Sequence, residues 1–206
     1  MIAGNHDLTF DLENYTSKLA PKFHRNNTFD CQKVKESFVS EKGYTYLEHS
    51  GIEIEGIKFW GSPCQPEFCQ MAFGLDRGEA SRQHWDKIPP GTDVVITHGP
   101  PLGHGDQVVD RDSKQLIRAG CFHLLKAVQA KRPKVHIFGH IHEGHGITTD
   151  GNTFFVNAAT CDLQYKPSYA PIVIDLPLPE VDLDDIELKL ESSCWLGGDK
   201  PSKLDY

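Results

Sequence analysis

At 206 residues, 38% of them apolar, and with a formal net charge of −8, the chain is long enough to bury one hydrophobic core and short for two large domains. Its 21 basic residues are scattered among 29 acidic ones, which argues against a long nucleic acid as partner, because backbone binding depends on clustered Lys and Arg. No signal-peptide pattern opens the sequence, no window approaches a membrane span, and the six cysteines include no Cys-x-x-Cys pair; the expectation is a soluble, cytoplasmic protein with reduced thiols.

Taken in chain order, residues 1–3 read as the end of a buried strand and residues 11–22 as a loop or weak helix. Residues 44–48, 52–55 and 57–60 are short β-like runs broken by Ser50-Gly51 and Gly56, a meander signal. Helical spacing over 78–88 turns Trp85 and Ile88 inward and stops at Pro89-Pro90-Gly91, before a buried strand at 93–97. Apolar residues at 116, 117, 121, 124, 125 and 128 predict an amphipathic helix over 113–131, and Pro133 ends it. A strand at 135–138 completes a parallel crossover. Segments 146–149 and 153–157, joined by Asp150-Gly151-Asn152, predict a hairpin, and 170–176 a last strand. Beyond Pro179 acidic residues dominate, so residues 1–178 read as one domain and 179–206 as an acidic C-terminal extension.

Three short frames carry the chemistry: Gly4-Asn5-His6-Asp7, Thr97-His98-Gly99-Pro100 and Gly139-His140-Ile141-His142. Each follows an apolar run, so each imidazole or amide is expected where a parallel strand ends and its loop begins, the edge at which α/β sheets bind ligands. A lone Asn-His pair is usually an exposed turn. Three such frames in order are better explained by a metal site, and imidazole with amide donors suits Zn, Mn, Fe or Ni better than Ca or Mg. No Gly-x-Ser-x-Gly elbow supports a serine hydrolase. His104, Asp106 and His145 lie on loops expected to line the pocket and are candidates for substrate contact; exposed polar loop residues are an equal reading. Trp60, Phe68 and Phe73 are candidates for stacking on a base, although aromatics there are more often core. His24, His49, His84, His123 and His136 read as surface or core side chains.

These frames, with Gly61-Ser62-Pro63, Gln65-Pro66 and Arg118-Ala119-Gly120-Cys121, resemble the calcineurin-like metallophosphoesterases. More narrowly, they resemble the metallophosphoesterase-domain-containing branch related to class III cyclic nucleotide phosphodiesterases. The resemblance covers nearly everything before the acidic tail. It implies an α/β fold, a sandwich of two mixed β-sheets flanked by helices, here lacking the first strand-helix-strand units. It implies metal-dependent hydrolysis of small phosphoesters, phosphodiesters such as cyclic nucleotides above all, with no membrane partner. Asn5, His98 and His140 are then ligands of one divalent ion and His142 of its neighbour; two ions polarise the phosphoryl group and activate water, and manganese is the ion to try first. His6 is the general acid, and Asp7 orients it.

The departure from the family pattern lies upstream of Gly4. Members carry an Asp-x-His strand and a Gly-Asp strand before the Asn-His frame, and the second Asp bridges the two ions. This sequence retains ligands mainly for one ion. An incomplete or alternatively started reading frame is the favoured explanation, ahead of a fragment completed by another chain or a variant with one weak metal. The alternative function is a catalytically impaired form that acts as a metal, nucleotide or protein binding module.

Overall fold

The computed structural model describes residues 1–25, 27–110 and 112–178. Two units divide the chain, Met1–Ile174 and Asp175–Tyr206, and every helix and strand of the described residues lies in the first. The acidic stretch 179–206, with Cys194, lies outside the described residues. None of the described helices is long and apolar enough to cross a membrane.

The amino-terminal third is helical: α1 (Leu12–Asn14), a π-helical stretch Tyr15–His24, and α2 (Cys31–Lys42). The Asp11 carboxylate accepts from Asn14 N, and Asp30 accepts from Lys33 N at the start of α2, each satisfying a backbone donor that the helix leaves free. An antiparallel hairpin of β1 (Ser50–Ile54) and β2 (Ile57–Ser62) follows. Its turn is made by Glu55 and Gly56, at φ 51° and 78°, the left-handed pair that two-residue hairpins require.

Two-residue strands β3 (Gln65–Pro66) and β4 (Gly74–Leu75) lead to α3 (Glu79–Trp85) and β5 (Val94–Thr97). A small hairpin, β6 (Gln107–Val109) with β7 (Leu116–Arg118), precedes α4 (Phe122–Lys131) and β8 (Val135–Phe138). The last hairpin is β9 (Gly146–Thr149) with β10 (Phe154–Asn157). Its turn is closed by the Asp150 carboxylate, which accepts from Asn152 N and Thr153 N.

The main sheet has six strands in the order β1-β2-β5-β8-β10-β9, and β2, β5, β8 and β10 run parallel. Trp60, Val95, His136 and Phe155 are register partners across those four strands, so their side chains share one face. Trp60 packs edge-on against Trp85 of α3 at 6.4 Å; Leu124, Ala127 and Val128 of α4 join the same core. The chain is thus an α/β fold built on a mixed sheet flanked by helices. Of the sandwich's two sheets, the described residues build this six-stranded one and two two-stranded ladders.

Several local expectations are corrected. Residues 1–3 form no strand: Met1 instead pairs with the 45–47 segment through Leu47 N to Met1 O and the amino terminus to Thr45 O. Residues 44–48 are likewise not a strand. The helix expected over 113–131 begins only at Phe122, because Leu116, Ile117 and Arg118 pair with β6 and the Cys121 thiol caps the helix by accepting from Leu124 N. Leu116 and Ile117 are consequently exposed. No strand forms at 170–176. Pro171 and Pro177 lack the N–H a ladder needs, and Val173 is 82% exposed.

Candidate metal centre

The parallel strands fix the site, since Ser62 and Thr97 are register partners at the carboxyl ends of β2 and β5, and Phe138 and Asn157 at those of β8 and β10. His98 leaves β5 directly, and His140 follows β8 two residues after Phe138. Their rings lie 4.7 Å apart between centroids. Asn5 is brought to the same place by the opening turn. Its Oδ1 accepts from His98 Nε2 at 2.7 Å, and its Nδ2 donates to Met71 Sδ at 3.1 Å, which orients the amide with oxygen toward the imidazole.

Burial is the first cause that pushes His98 down from 6.5 to about 3 and His140 to about 4, with neighbouring imidazoles, His6 among them for both, adding to it. Both rings are therefore neutral near pH 7 and offer lone pairs. His142 helps to depress His140, and its Nδ1 lies 2.8 Å from the Asp162 carbonyl. A carbonyl can only accept, so Nδ1 carries a proton, which in the neutral ring leaves the lone pair on Nε2, the tautomer seen in metal-ligating histidines. The donor set fits a borderline divalent cation. Ligands on one ion with bonds of about 2.0–2.2 Å sit about 3 Å apart, close to the Asn5–His98 separation, and a cation would replace the Nε2 proton.

The frame that holds these donors is tight. A Cβ on Gly4 would lie 2.6 Å from His98 Cε1, and one on Gly144 2.1 Å from the Gly105 carbonyl oxygen. His140 itself sits at φ 68°, a left-handed conformation unusual outside glycine and often found at functional sites. Two residues that sequence reading passed over secure the loops. His136, wholly buried, donates from Nε2 to Thr97 Oγ1 while that hydroxyl donates to the Gly99 carbonyl, bracing the His98 loop. Asn157 Nδ2 donates to the carbonyls of Gly105 and Ile141, tying the other two loops together. Neither has a local motif; each acts through a strand register.

The remaining candidates are placed as follows. His6 is exposed at a cleft of about 390 Å³ lined also by Asp7, Phe10, His24, Phe29 and Val34. Asp7 makes no hydrogen bond to His6; its Oδ2 accepts from Gly4 N at 2.7 Å and closes the turn, because the carboxylate folds back onto its own backbone. His104 stacks on Phe155 at 3.7 Å with Nδ1 on Thr148 Oγ1, and His145 stacks on Tyr169 with Nδ1 donating to the Ala159 carbonyl. Both rings are committed to packing on one side. Asp106 is buried, pairs with Arg118 and accepts from Gly103 N. Trp60 and Phe73 are core, whereas the exposed Phe68 sets its ring edge-on to His140 at 5.5 Å.

A calcineurin-like phosphoesterase family model matches residues 1–144, a span that includes all three frames. Metallophosphoesterase domain-containing protein 1 of Homo sapiens is 43% identical over 183 residues, covering 87% of this chain and 55% of that protein. The UPF0046 proteins T07D4.2 and C25E10.12 of Caenorhabditis elegans are 38% and 37% identical, over 86% and 87% of this chain and 46% and 62% of their own lengths. The chain thus spans about half the length of the curated relatives it matches. The frames, their convergence at one sheet edge and the matched span lead to one assignment: this chain belongs to the calcineurin-like phosphoesterase family.

Proposed function

We propose that the chain carries the metal-binding half of a phosphoesterase centre and hydrolyses small phosphoesters, phosphodiesters such as cyclic nucleotides being the substrate class. The observation that supports this most is the approach of Asn5 Oδ1 to His98 Nε2 at 2.7 Å with the His140 ring beside them. Asn5, His98 and His140 hold one divalent ion, and His142 offers Nε2 to a second. Such an ion supplies Lewis acidity toward phosphoryl oxygens and lowers the pKa of bound water.

The chain's own residues do the rest. His6, exposed at the cleft, donates the proton that the departing alkoxide needs. Asp7 fixes the turn that presents it. Phe68 covers one edge of His140 and limits water there. The cleft beside His6, of about 390 Å³, is in the range of small-molecule sites; His104 and His145, which lie outside its lining, are the residues assigned to contact substrate.

The test is hydrolysis of bis-(p-nitrophenyl) phosphate with added Mn. His98→Ala should abolish turnover. His6→Ala should lower kcat by about 100-fold or more, as expected on losing a general acid, with metal binding intact. Stoichiometric metal binding with no turnover in the unsubstituted protein would overturn the catalytic reading in favour of a binding module.

A further inference from the structure

A second group of ligand-type side chains lies apart from the three frames, where β1 begins, β2 ends and α3 closes. One ligand atom from each of His49, Cys64 and His84 lies within 4.8 Å of the other two. The Ser62 hydroxyl stands among them, 3.0 Å from His49 Nδ1 and 2.9 Å from His84 Nε2, and it accepts from Cys64 N at 3.3 Å. The rings of His49 and His84 meet edge to face at 4.6 Å.

Three of these residues are buried, and His49, held at φ 52°, is exposed. A path from solvent therefore reaches the cluster through one movable ring. Desolvation lowers both imidazole pKa values, that of His84 to about 4, and raises the Cys64 thiol to about 12. At neutral pH the cluster without metal thus holds two neutral imidazoles and a thiol around one hydroxyl, which donates to one ring and accepts from the other according to their tautomers.

We propose that His49, Cys64 and His84 form a zinc site, with the Ser62 hydroxyl or a water as fourth ligand. The set of one sulfur and two imidazoles is what tetrahedral zinc selects, and it lacks the oxygen donors that calcium and magnesium need. With Zn–S of about 2.3 Å and Zn–N of about 2.0–2.1 Å, donors stand about 3.3–3.6 Å apart, so the cluster closes by roughly 1 Å on binding. The exposed His49 side chain supplies most of that movement. Cys64 gives up its thiol proton to solvent as the S–Zn bond forms, so affinity rises with pH. The ion then ties the start of β1, the end of β2 and α3 into one unit, independently of the centre at Asn5, His98 and His140.

Cobalt substitution separates the two centres, because only this one offers a thiol as ligand. Protein stripped of metal and titrated with Co(II) should develop a near-ultraviolet sulfur-to-cobalt charge-transfer band that saturates at one equivalent and is displaced by one equivalent of Zn. Cys64→Ser and His49→Ala should abolish the band, and His98→Ala should retain it. Absence of the band in the unsubstituted protein, or its persistence in Cys64→Ser, overturns the proposal. Should Cys64→Ser fail to fold by circular dichroism, His49→Ala decides, since it alters an exposed side chain: a band of full intensity there overturns the zinc site.

Discussion

At the scale of single residues, the proposed centre depends on side chains outside its donor set. Thr97 passes a hydrogen bond from His136 to the Gly99 carbonyl, so Thr97→Val leaves a buried donor and a buried acceptor unpaired. We predict a loss of about 1–3 kcal/mol in urea unfolding together with weaker Mn binding; unchanged values in both would contradict the bracing role. Gly4→Ala should displace the His98 ring, which a Cβ would meet at 2.6 Å, and cost metal affinity with little loss of helix or sheet signal in circular dichroism.

The depressed imidazoles also set a pH dependence. His84, His98, His136 and His140 fall from 6.5 to about 4, 3, 3 and 4, burial being the first cause for each. In the unfolded chain they titrate near the ordinary value, so below it the unfolded state binds more protons. Stability of the metal-free protein is therefore complete above about pH 6.5 and declines as pH falls toward about 4–3. Denaturant midpoints that do not move between pH 7.5 and pH 5 would contradict this. The three frames were legible in the sequence because each is local, and the fold brings Asn5, His98 and His140 of those frames together. His136 and Asn157 were not, since their partners are set by register between strands distant in sequence, and His49, Cys64 and His84 read as unrelated residues until the fold brought them together.

At the scale of elements, period decided what could be read. The buried parallel strands β5 and β8 and the β9–β10 hairpin were legible as apolar runs and turn chemistry. The helix before β8 was overextended, because Leu116 and Ile117 continue a helical spacing that the β6 pairing overrides. Gly120 explains where the helix must wait: a Cβ there would lie 2.5 Å from the Pro101 carbonyl oxygen, so the chain passes against another backbone before α4 begins. Leu124 faces the core from α4 at 1% exposure. Leu124→Ala should lower stability by about 2–5 kcal/mol, whereas Leu116→Ala, on an exposed strand, should change it by less than about 0.5 kcal/mol. Equal effects would mean that the helix does begin where its periodicity suggests.

At the scale of the whole molecule, four parallel strands deliver their carboxyl ends to one edge, and that edge is where the proposed cation centre lies. A net charge of −8 does little to draw an anion, so under the proposed function the attraction for a phosphoester falls to the local cation. The amino-terminal segment shows how the site is completed from outside the sheet: Asn5 arrives on a turn held by Asp7 and Met71, a placement that local sequence signals anticipated as a strand end and the fold achieves by side-chain bonds. The measurement that bears most directly on the account is calorimetric titration of Mn(II), an ion that a thiolate site disfavours, into the unsubstituted protein and into Asn5→Ala, His98→Ala and His140→Ala. One equivalent should bind to the first and be lost or strongly weakened in each of the other three. Equal binding in all four proteins, or none in the first, would contradict a cation held by Asn5, His98 and His140.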